Sequence, residues 1–133
     1  MAVQRRITII QIRKPVDNNV NHKLQWLGSS LGLFNLRDKD KSCFRIFIEL
    51  VKTTKHGMPA TSDELSERSR LSRGTVVHHL NKLMDTGMVV RERHGYILRE
   101  EGLSNLVDMI EHDCIRMCES LKDIAKEIDD SLS

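Results

Sequence analysis

The stretch of sequence that decides the fold is residues 61–83, which read TSDELSERSRLSRGTVVHHLNKL. Thr61 precedes Glu64 by three residues, which is the spacing of a capping box at the start of a helix. Residues 69–71 then form a predicted turn, in which Leu71 supplies the apolar plug. This pattern predicts a short helix followed closely by a second one.

The second helix is predicted to begin at Ser72, a residue type that often caps helices. Val76, Leu80 and Leu83 recur at spacings of four and three, so they lie on one face and are expected to be buried. Gly87 is expected to end the helix in the C′ position. Two short helices joined by such a turn predict a helix-turn-helix.

The opposite face of the second helix is polar and basic. In a helix-turn-helix, the N-terminal part of the second helix enters the major groove of DNA. There Arg can read guanine, Asn can read adenine, and a methyl-bearing side chain can meet the thymine methyl group. Other basic residues contact phosphates, which orient the protein without reading sequence.

Residues 88–99 predict a hairpin that follows the second helix. They read as two short strands around a tight turn, in which Gly95 is expected to adopt a positive φ. Arg91, Arg93 and His94 make its tip basic. Such a tip suits phosphates or a narrow A·T-rich minor groove, so the segment is predicted to be the wing of a winged helix.

Double-stranded DNA is therefore the predicted partner, and the predicted contacts come from the helix caps, the polar helix face and the wing tip. They are Thr61, Ser62, Arg70, Ser72, Arg73, Gly74, Thr75, Val77, His78, Asn81, Lys82, Arg91, Arg93 and His94.

Residues 62–67, 71–83 and 87–89 resemble winged-helix regulators of the MarR and ArsR type, and the likeness extends over wing residues 91–96. The resemblance implies a homodimeric transcription regulator, commonly a repressor. It also implies that four residues face the bases, namely Arg73, Thr75, Val77 and His78. The first helix of the motif has no Cys, unlike several ArsR-type metal sensors.

After Gly102 the apolar pattern changes to a strict heptad stripe, typical of a long helix with one narrow seam. Such a seam needs a partner helix, and a second copy of the chain is the simplest partner. The pairing can be parallel or antiparallel, and the helix can also fold back on an N-terminal helix of its own chain. The seam residues are Leu103, Val107, Ile110, Cys114, Met117, Leu121, Ile124 and Ile128.

The N-terminal part is predicted to hold an arm and a helix that serve packing or dimerisation. Residues 5–13 are rich in β-branched side chains and read as a short strand or an extended arm. Asp17 is expected to cap the helix that follows. Its apolar stripe comprises Val20, Leu24, Leu27, Leu31 and Phe34, of which Leu24, Leu27 and Leu31 are predicted dimer contacts.

A further helix is predicted over residues 39–54, before the loop at residues 56–59. Its predicted buried face comprises Phe44, Phe47, Ile48, Leu50 and Val51. The whole chain is thus expected to be mainly α with a small β-wing. The expected divisions are an arm and helix over 1–36, the winged helix-turn-helix over 37–99, and an acidic dimerisation helix over 100–133.

The charge distribution agrees with this division. Residues 1–99 hold 18 Lys and Arg against 9 Asp and Glu, whereas residues 100–133 hold 3 against 10. A basic body can neutralise phosphates, which supply most sequence-independent affinity for DNA. The acidic segment is expected to lie away from the duplex.

Other functions have weaker support. No cofactor and no catalysis are expected, because the chain lacks a phosphate loop, a His-Glu-x-x-His helix and a nucleophile motif. Cys114, Cys118 and His112 could serve a metal or redox sensor, but a free Cys in a seam usually packs as a small hydrophobe, so no metal is predicted. No effector can be named.

Two alternatives to a specific regulator stay open. One is an architectural chromatin protein that coats DNA with little specificity, and the other is a winged helix of the transcription machinery that binds protein. No apolar run approaches the roughly 18 residues of a membrane span, and residues 1–6 do not lead into a signal peptide. With three scattered cysteines, a cytoplasmic location without a membrane partner is expected.

Overall fold

The computed structural model, which describes residues 4–33 and 41–133, contains five helices and a two-stranded antiparallel hairpin in those residues. The predicted mainly α fold with a small wing and a long C-terminal helix is confirmed. In chain order the elements are α1 (Val20–Ser30), α2 (Ser42–Lys55), α3 (Ser62–Ser69), α4 (Arg73–Asp85), β1 (Val89–Glu92), β2 (Gly95–Leu98) and α5 (Leu103–Leu132).

Helix α2 lies at the centre of the core and packs against α3, α4 and β2. The prediction of a buried Phe47 and Leu50 is confirmed, but the buried face is rotated from the predicted one. Phe44, Ile48 and Val51 are only half-buried. The apolar residues that fill the core from this helix are Cys43, Ile46, Phe47 and Leu50. Residues 39 and 40 of the predicted helix lie outside the described residues.

The hairpin is completed by a single residue from the loop before α3. Val89 pairs with Leu98 and Glu92 with Gly95 in the antiparallel register. Ala60 forms a bridge to Tyr96, in which each backbone N–H donates to the other residue's carbonyl, at 2.9 and 2.8 Å. The wing is thereby tied to the start of the helix-turn-helix.

Residues 4–19 form an irregular arm and not a strand. The Arg6 amide donates to the carbonyl of Asp85 at the end of α4, and the Ile10 amide donates to the carbonyl of Ser30 at the end of α1. The arm therefore bridges the end of α4 and the end of α1.

The cap of α1 is Asn19, so the prediction that Asp17 caps this helix is wrong. The Asn19 side chain accepts from the amides of Asn21 and His22. Asp17 instead accepts from the Asn19 amide at 3.0 Å and lies 2.8 Å from the ring of His22. These hydrogen bonds, His22 first, lower the pKa of the Asp17 carboxyl. Phe34, the last residue of the predicted stripe, lies outside the described residues.

Helix α5 changes character along its length. Near its start Leu106, Met109 and Ile110 enter the core, and Asp113 is also buried. From Ile115 to the end every residue is exposed. The first part of α5 thus belongs to the body of the domain, whereas the rest of the helix is not buried by any other residue that the structure describes.

Candidate nucleic-acid interface

The start of α3 is fixed by the predicted capping box. The Thr61 hydroxyl accepts from the Glu64 amide at 3.1 Å, and the Thr61 amide donates to the Glu64 carboxylate at 3.4 Å. The same hydroxyl donates to Glu64 at 3.1 Å. Its donor is therefore already in use, although Thr61 was a predicted DNA contact.

The turn between the two helices is tight. Arg70 ends α3 in the left-handed region with φ of 59°, and Arg45 of α2 donates to the carbonyl of Ser69. Leu71 packs partly buried against the core, as the apolar plug is predicted to do. Ser72 caps α4 by accepting from the Thr75 amide at 3.2 Å. These contacts fix the angle at which α4 leaves the domain.

Helix α4 has the two faces that its sequence predicts. Val76, Leu80 and Leu83 are fully buried, and Gly87 follows the cap with φ of 80°, as predicted. His79 is also buried. Of the predicted base-reading and phosphate residues on α4, Thr75 and Val77 are half-buried, and the exposed ones are Arg73, Gly74, His78, Asn81 and Lys82.

Arg73 meets an acidic neighbour that sequence reasoning missed. Its Nε lies 3.5 Å from a carboxylate oxygen of Asp63 in the first turn of α3, and both side chains are more than 70% exposed. An ion pair this exposed contributes little to stability because water screens it. The guanidinium of Arg73 therefore lies near the start of α4, and this weak ion pair does not prevent it from contacting another group.

Gly74 leaves open space at the start of α4. A Cβ built at this position would meet no heavy atom within 4 Å. The domain itself therefore imposes no steric need for glycine. Glycine elsewhere in proteins permits a close approach of backbone to a ligand, which is one reason for its presence on a candidate contact surface.

The turn of the wing differs from the prediction. Arg93 and His94 form the turn, and Arg93 has φ of 58°, whereas Gly95 lies in β2 without a positive φ. Glycine is required at position 95 for another reason. An added Cβ would come within 2.9 Å of the Pro59 side chain and 3.0 Å of the Ala60 carbonyl oxygen.

The wing tip presents its basic residues to solvent, as predicted. Arg91, Arg93 and His94 are all exposed. The Arg91 guanidinium lies 5.4 Å from the centroid of the Tyr96 ring, a cation–π distance. Because Tyr96 is buried and bonded to Ala60, this contact orients one basic side chain on a rigid platform.

The predicted dimer residues fall into two groups. Ile110 is buried in the core of its own domain, and the others that lie partly buried are Leu24, Leu27, Leu31, Leu103 and Cys114. The remainder of the seam is exposed on one side of α5, namely Val107, Met117, Leu121, Ile124 and Ile128. The heptad pattern missed Leu106 and Met109, because these residues face the core from outside the seam.

An open apolar groove of about 590 Å³ lies between the arm, α1 and α5. We call it the α1–α5 groove, and Ile9, Trp26, Leu27, Val107 and Ile115 contribute to its lining. Trp26 is anchored by its indole N–H, which donates to the Ile12 carbonyl at 3.0 Å. The arm and α1 thus form a fixed wall beside the first half of α5.

Asp113 on α5 joins three separate parts of the chain. Its carboxylate lies 3.2 Å from Arg5 of the arm and 3.4 Å from Arg99, which follows the wing, and it also pairs with Arg116 of α5. The Asp113 side chain is only 5% exposed. A buried carboxylate needs such partners, so the arm, the wing and α5 are held in one arrangement.

The cysteines do not form a metal site with their neighbours. Within residues 4–33 and 41–133, no three His, Cys, Asp or Glu side chains are grouped so that they could hold a metal ion. Cys43 is buried, Cys114 is half-buried and Cys118 is exposed, and all three are free thiols.

Comparison with known families identifies the motif. Residues 57–90 match the family model described as Bacterial regulatory protein, arsR family. This segment is similar to an ArsR-type helix-turn-helix. It spans α3, α4 and the start of β1, and the match supports a DNA-binding transcription regulator. The arm, α1 and α5 lie outside the ArsR-type match. No curated protein and no solved structure matches the chain.

In the part of the chain that the structure describes, none of the helices, including the 30-residue α5, is apolar enough over a sufficient length to cross a bilayer.

Proposed function

We propose that the chain is a homodimeric, sequence-specific repressor that binds double-stranded DNA, with α4 in the major groove and the wing on the backbone or in the minor groove. The observation that carries this proposal is the face of α4, which exposes Arg73, His78, Asn81 and Lys82 while its other face is fully buried. A helix so anchored can present these groups to base edges without reorganising.

The individual contacts follow from chemistry and position. Arg73 is suited to guanine and Asn81 to adenine, and Lys82 and Arg70 are suited to phosphates. The hydroxyls of Thr61 and Ser72 cap the two helices, and their oxygen atoms already have protein partners. We therefore assign these two residues contacts to the DNA phosphates and not to the bases.

Repression is the expected outcome because the resemblance is to regulators that are commonly repressors, and the ArsR-type match agrees with a regulatory protein. A domain built for binding also favours a role without catalysis. On a promoter that contains the bound sequence, added protein is expected to lower the amount of transcript in vitro. An increase would contradict repression but would leave DNA binding intact.

Selection of bound sequences from a random pool of duplexes tests specificity directly. An inverted repeat with half-sites about 34 Å apart is expected for a dimer of helix-turn-helix units. Fluorescence anisotropy then compares the selected duplex with a scrambled one. Equal affinity with a steep salt dependence would favour an architectural protein instead. No binding to either duplex at low salt would favour a protein-binding winged helix.

A further inference from the structure

Three guanidinium groups share a single carboxylate where the arm, the end of the wing and α5 meet. The Asp113 carboxylate accepts hydrogen bonds from Arg5, Arg99 and Arg116. Three positive charges thus surround one negative charge, so the cluster carries two positive charges that no acidic group within it balances. Positive charges gathered in a cleft attract an anion and raise its local concentration.

An open cleft of about 310 Å³ lies beside this cluster, and we call it the Arg5–Arg116 cleft. Its lining comprises Arg5, Asp113, Arg116, Met117 and Ser120. The side chains of Arg5 and Arg116 are 40% and 66% exposed. Among residues 4–33 and 41–133, the hydrogen-bond partner of both guanidinium groups is Asp113 alone. Because a guanidinium has five N–H donors, both retain donors for a ligand in the cleft.

Arg5 is held in position before any ligand arrives. Its guanidinium lies against the end of α4, where a Cβ added to Gly87 would be 3.5 Å from the Arg5 Nη1 atom. The amide of the next residue, Arg6, donates to the Asp85 carbonyl at 3.1 Å. The buried Asp113 carboxylate fixes the direction of the guanidinium. A group that is already ordered loses less conformational entropy when it binds a ligand.

The cleft lies at the opposite end of the winged helix from the predicted DNA contacts. Gly87 follows the end of α4, whereas Arg73 begins this helix, which is about 20 Å long. Arg99 likewise follows the end of β2, on the side of the hairpin away from the turn at Arg93. The anion that fits this cleft is therefore a small free molecule and not the DNA backbone.

The donors that line the cleft suit a phosphate group. Arginine matches phosphate oxygens with paired N–H donors, and the exposed Ser120 hydroxyl adds a further donor. A phosphate monoester carries up to two negative charges near neutral pH, which balances the cluster. Of the nearby acidic residues, Glu119 lines the α1–α5 groove instead, and Asp123 is not among the lining residues of the cleft.

We propose that the Arg5–Arg116 cleft binds a small molecule that carries a phosphate group. The phosphate oxygens accept from the guanidinium groups of Arg5 and Arg116 and from the Ser120 hydroxyl. Such a ligand touches the arm and α5 where Asp113 joins them to the end of the wing, so it is placed to act as an effector. The site does not depend on DNA binding, and its test is separate from that of the proposed function.

Isothermal titration calorimetry with inorganic phosphate tests the site. The full chain is titrated at pH 8, and ionic strength is held constant with sodium chloride because salt screens exposed charges. Saturable binding of about one phosphate per chain is expected. Arg116→Gln is expected to weaken binding about 10-fold or more, since hydrogen bonds between charged groups are lost. Ser120→Ala is expected to weaken it severalfold. Both residues are exposed, so the fold is expected to remain.

Two variants serve as controls for the position of the bound phosphate. Lys126→Gln removes one positive charge from a later, exposed turn of α5, and it is expected to leave phosphate affinity within about twofold. Arg93→Gln is expected to lower DNA affinity but to keep phosphate binding. An absence of saturable binding in the parent, or equal weakening by Lys126→Gln and Arg116→Gln, would overturn the site. Weakening by Arg93→Gln alone would place the phosphate on the DNA-binding surface and would also overturn it.

Anisotropy with the selected duplex separates a free phosphate from a phosphate of the DNA backbone. In the absence of free phosphate, Arg116→Gln is expected to leave the slope of log affinity against log salt unchanged. A slope reduced by about 1 would make Arg116 a contact of the DNA backbone and would overturn the proposal. A parent chain that binds phosphate as expected but no duplex counts against the proposed function alone.

Discussion

Helices α4 and α5 both carry apolar stripes, but the two stripes differ in how far they are buried within the chain. The stripe of α4 is completely buried within the chain, and the face left to solvent is polar and basic. The second half of α5 leaves its apolar stripe in solvent. Folding of the chain therefore buries all of the apolar stripe of α4, and the exposed face of α4 is suited to a polyanion. The exposed stripe of α5 is instead suited to another apolar helix.

The largest expected effect is a difference in the free energy of unfolding between two Leu→Ala variants, one in α4 and one in α5. Leu80→Ala empties a fully buried site, so the free energy of unfolding is expected to fall by about 2–5 kcal/mol. Leu121→Ala removes a side chain that is 68% exposed, and at concentrations where the chain is monomeric the change is expected to stay within about 0.5 kcal/mol. Urea denaturation followed by circular dichroism measures both.

The dependence on concentration sharpens this contrast. Leu121→Ala removes an exposed apolar side chain from the predicted dimer seam, so it is expected to weaken self-association in sedimentation or light scattering. Because binding of a second copy stabilises the folded state, the variant is also expected to be less stable than the parent at concentrations where the parent is a dimer. Equal losses of stability for the two variants in the monomer would contradict the distinction between the helices.

The next effect is on DNA reading by α4. Arg73→Ala is expected to reduce affinity for the selected duplex by about 1–3 kcal/mol, because a bidentate contact to a base is lost. Arg73→Lys keeps the charge but not the fork geometry, and it is expected to recover only the part due to charge. Anisotropy with selected and scrambled duplexes separates the two parts. Unchanged discrimination in both variants would remove Arg73 from the readout.

The wing is expected to act through charge alone. Arg93→Ala should weaken binding to all sequences and reduce the slope of log affinity against log salt by about 1. Lys126→Ala removes the same charge from the second half of α5 and is the matched control, with no expected change in slope. A loss confined to the selected duplex would instead assign Arg93 to base reading.

The smallest expected effect has opposite signs in two measurements. Gly74→Ala meets no neighbour within 4 Å, so it is expected to raise the free energy of unfolding by about 0.4–1 kcal/mol. If α4 approaches DNA closely at this point, the same change lowers DNA affinity. A variant that is more stable and binds DNA as well as the parent would remove Gly74 from the interface.

Sequence reasoning succeeded where the signals are local. The capping box at Thr61, the cap at Ser72 and the apolar spacing of α4 all act within one or two turns of helix. It failed where the structure depends on contacts between residues that are far apart in the sequence. Gly95 is required by Pro59, which lies far away in sequence, and the cap of α1 was misassigned by two residues.

The candidate site shows the same limit. The exposed residues of α4 follow from helical periodicity, whereas the pairing of Arg73 with Asp63 depends on the angle between two helices. The meeting of Arg5 with Asp113 joins residues 108 positions apart. The heptad pattern predicted an apolar seam on α5, but it could not indicate that Ile110 is buried in the core of its own domain, because that depends on how α5 packs against the domain.

The length of α5 bears on the distance between two winged helices in a homodimer. Because the first turns of the helix are fixed to the domain, each winged helix is attached at one end of a rigid rod. At 1.5 Å per residue the 30 residues of α5 span about 45 Å, which exceeds the roughly 34 Å between half-sites one turn of B-DNA apart. In a homodimer joined along α5, the position at which the two copies meet would therefore set the spacing of the half-sites, and an inserted heptad would change it.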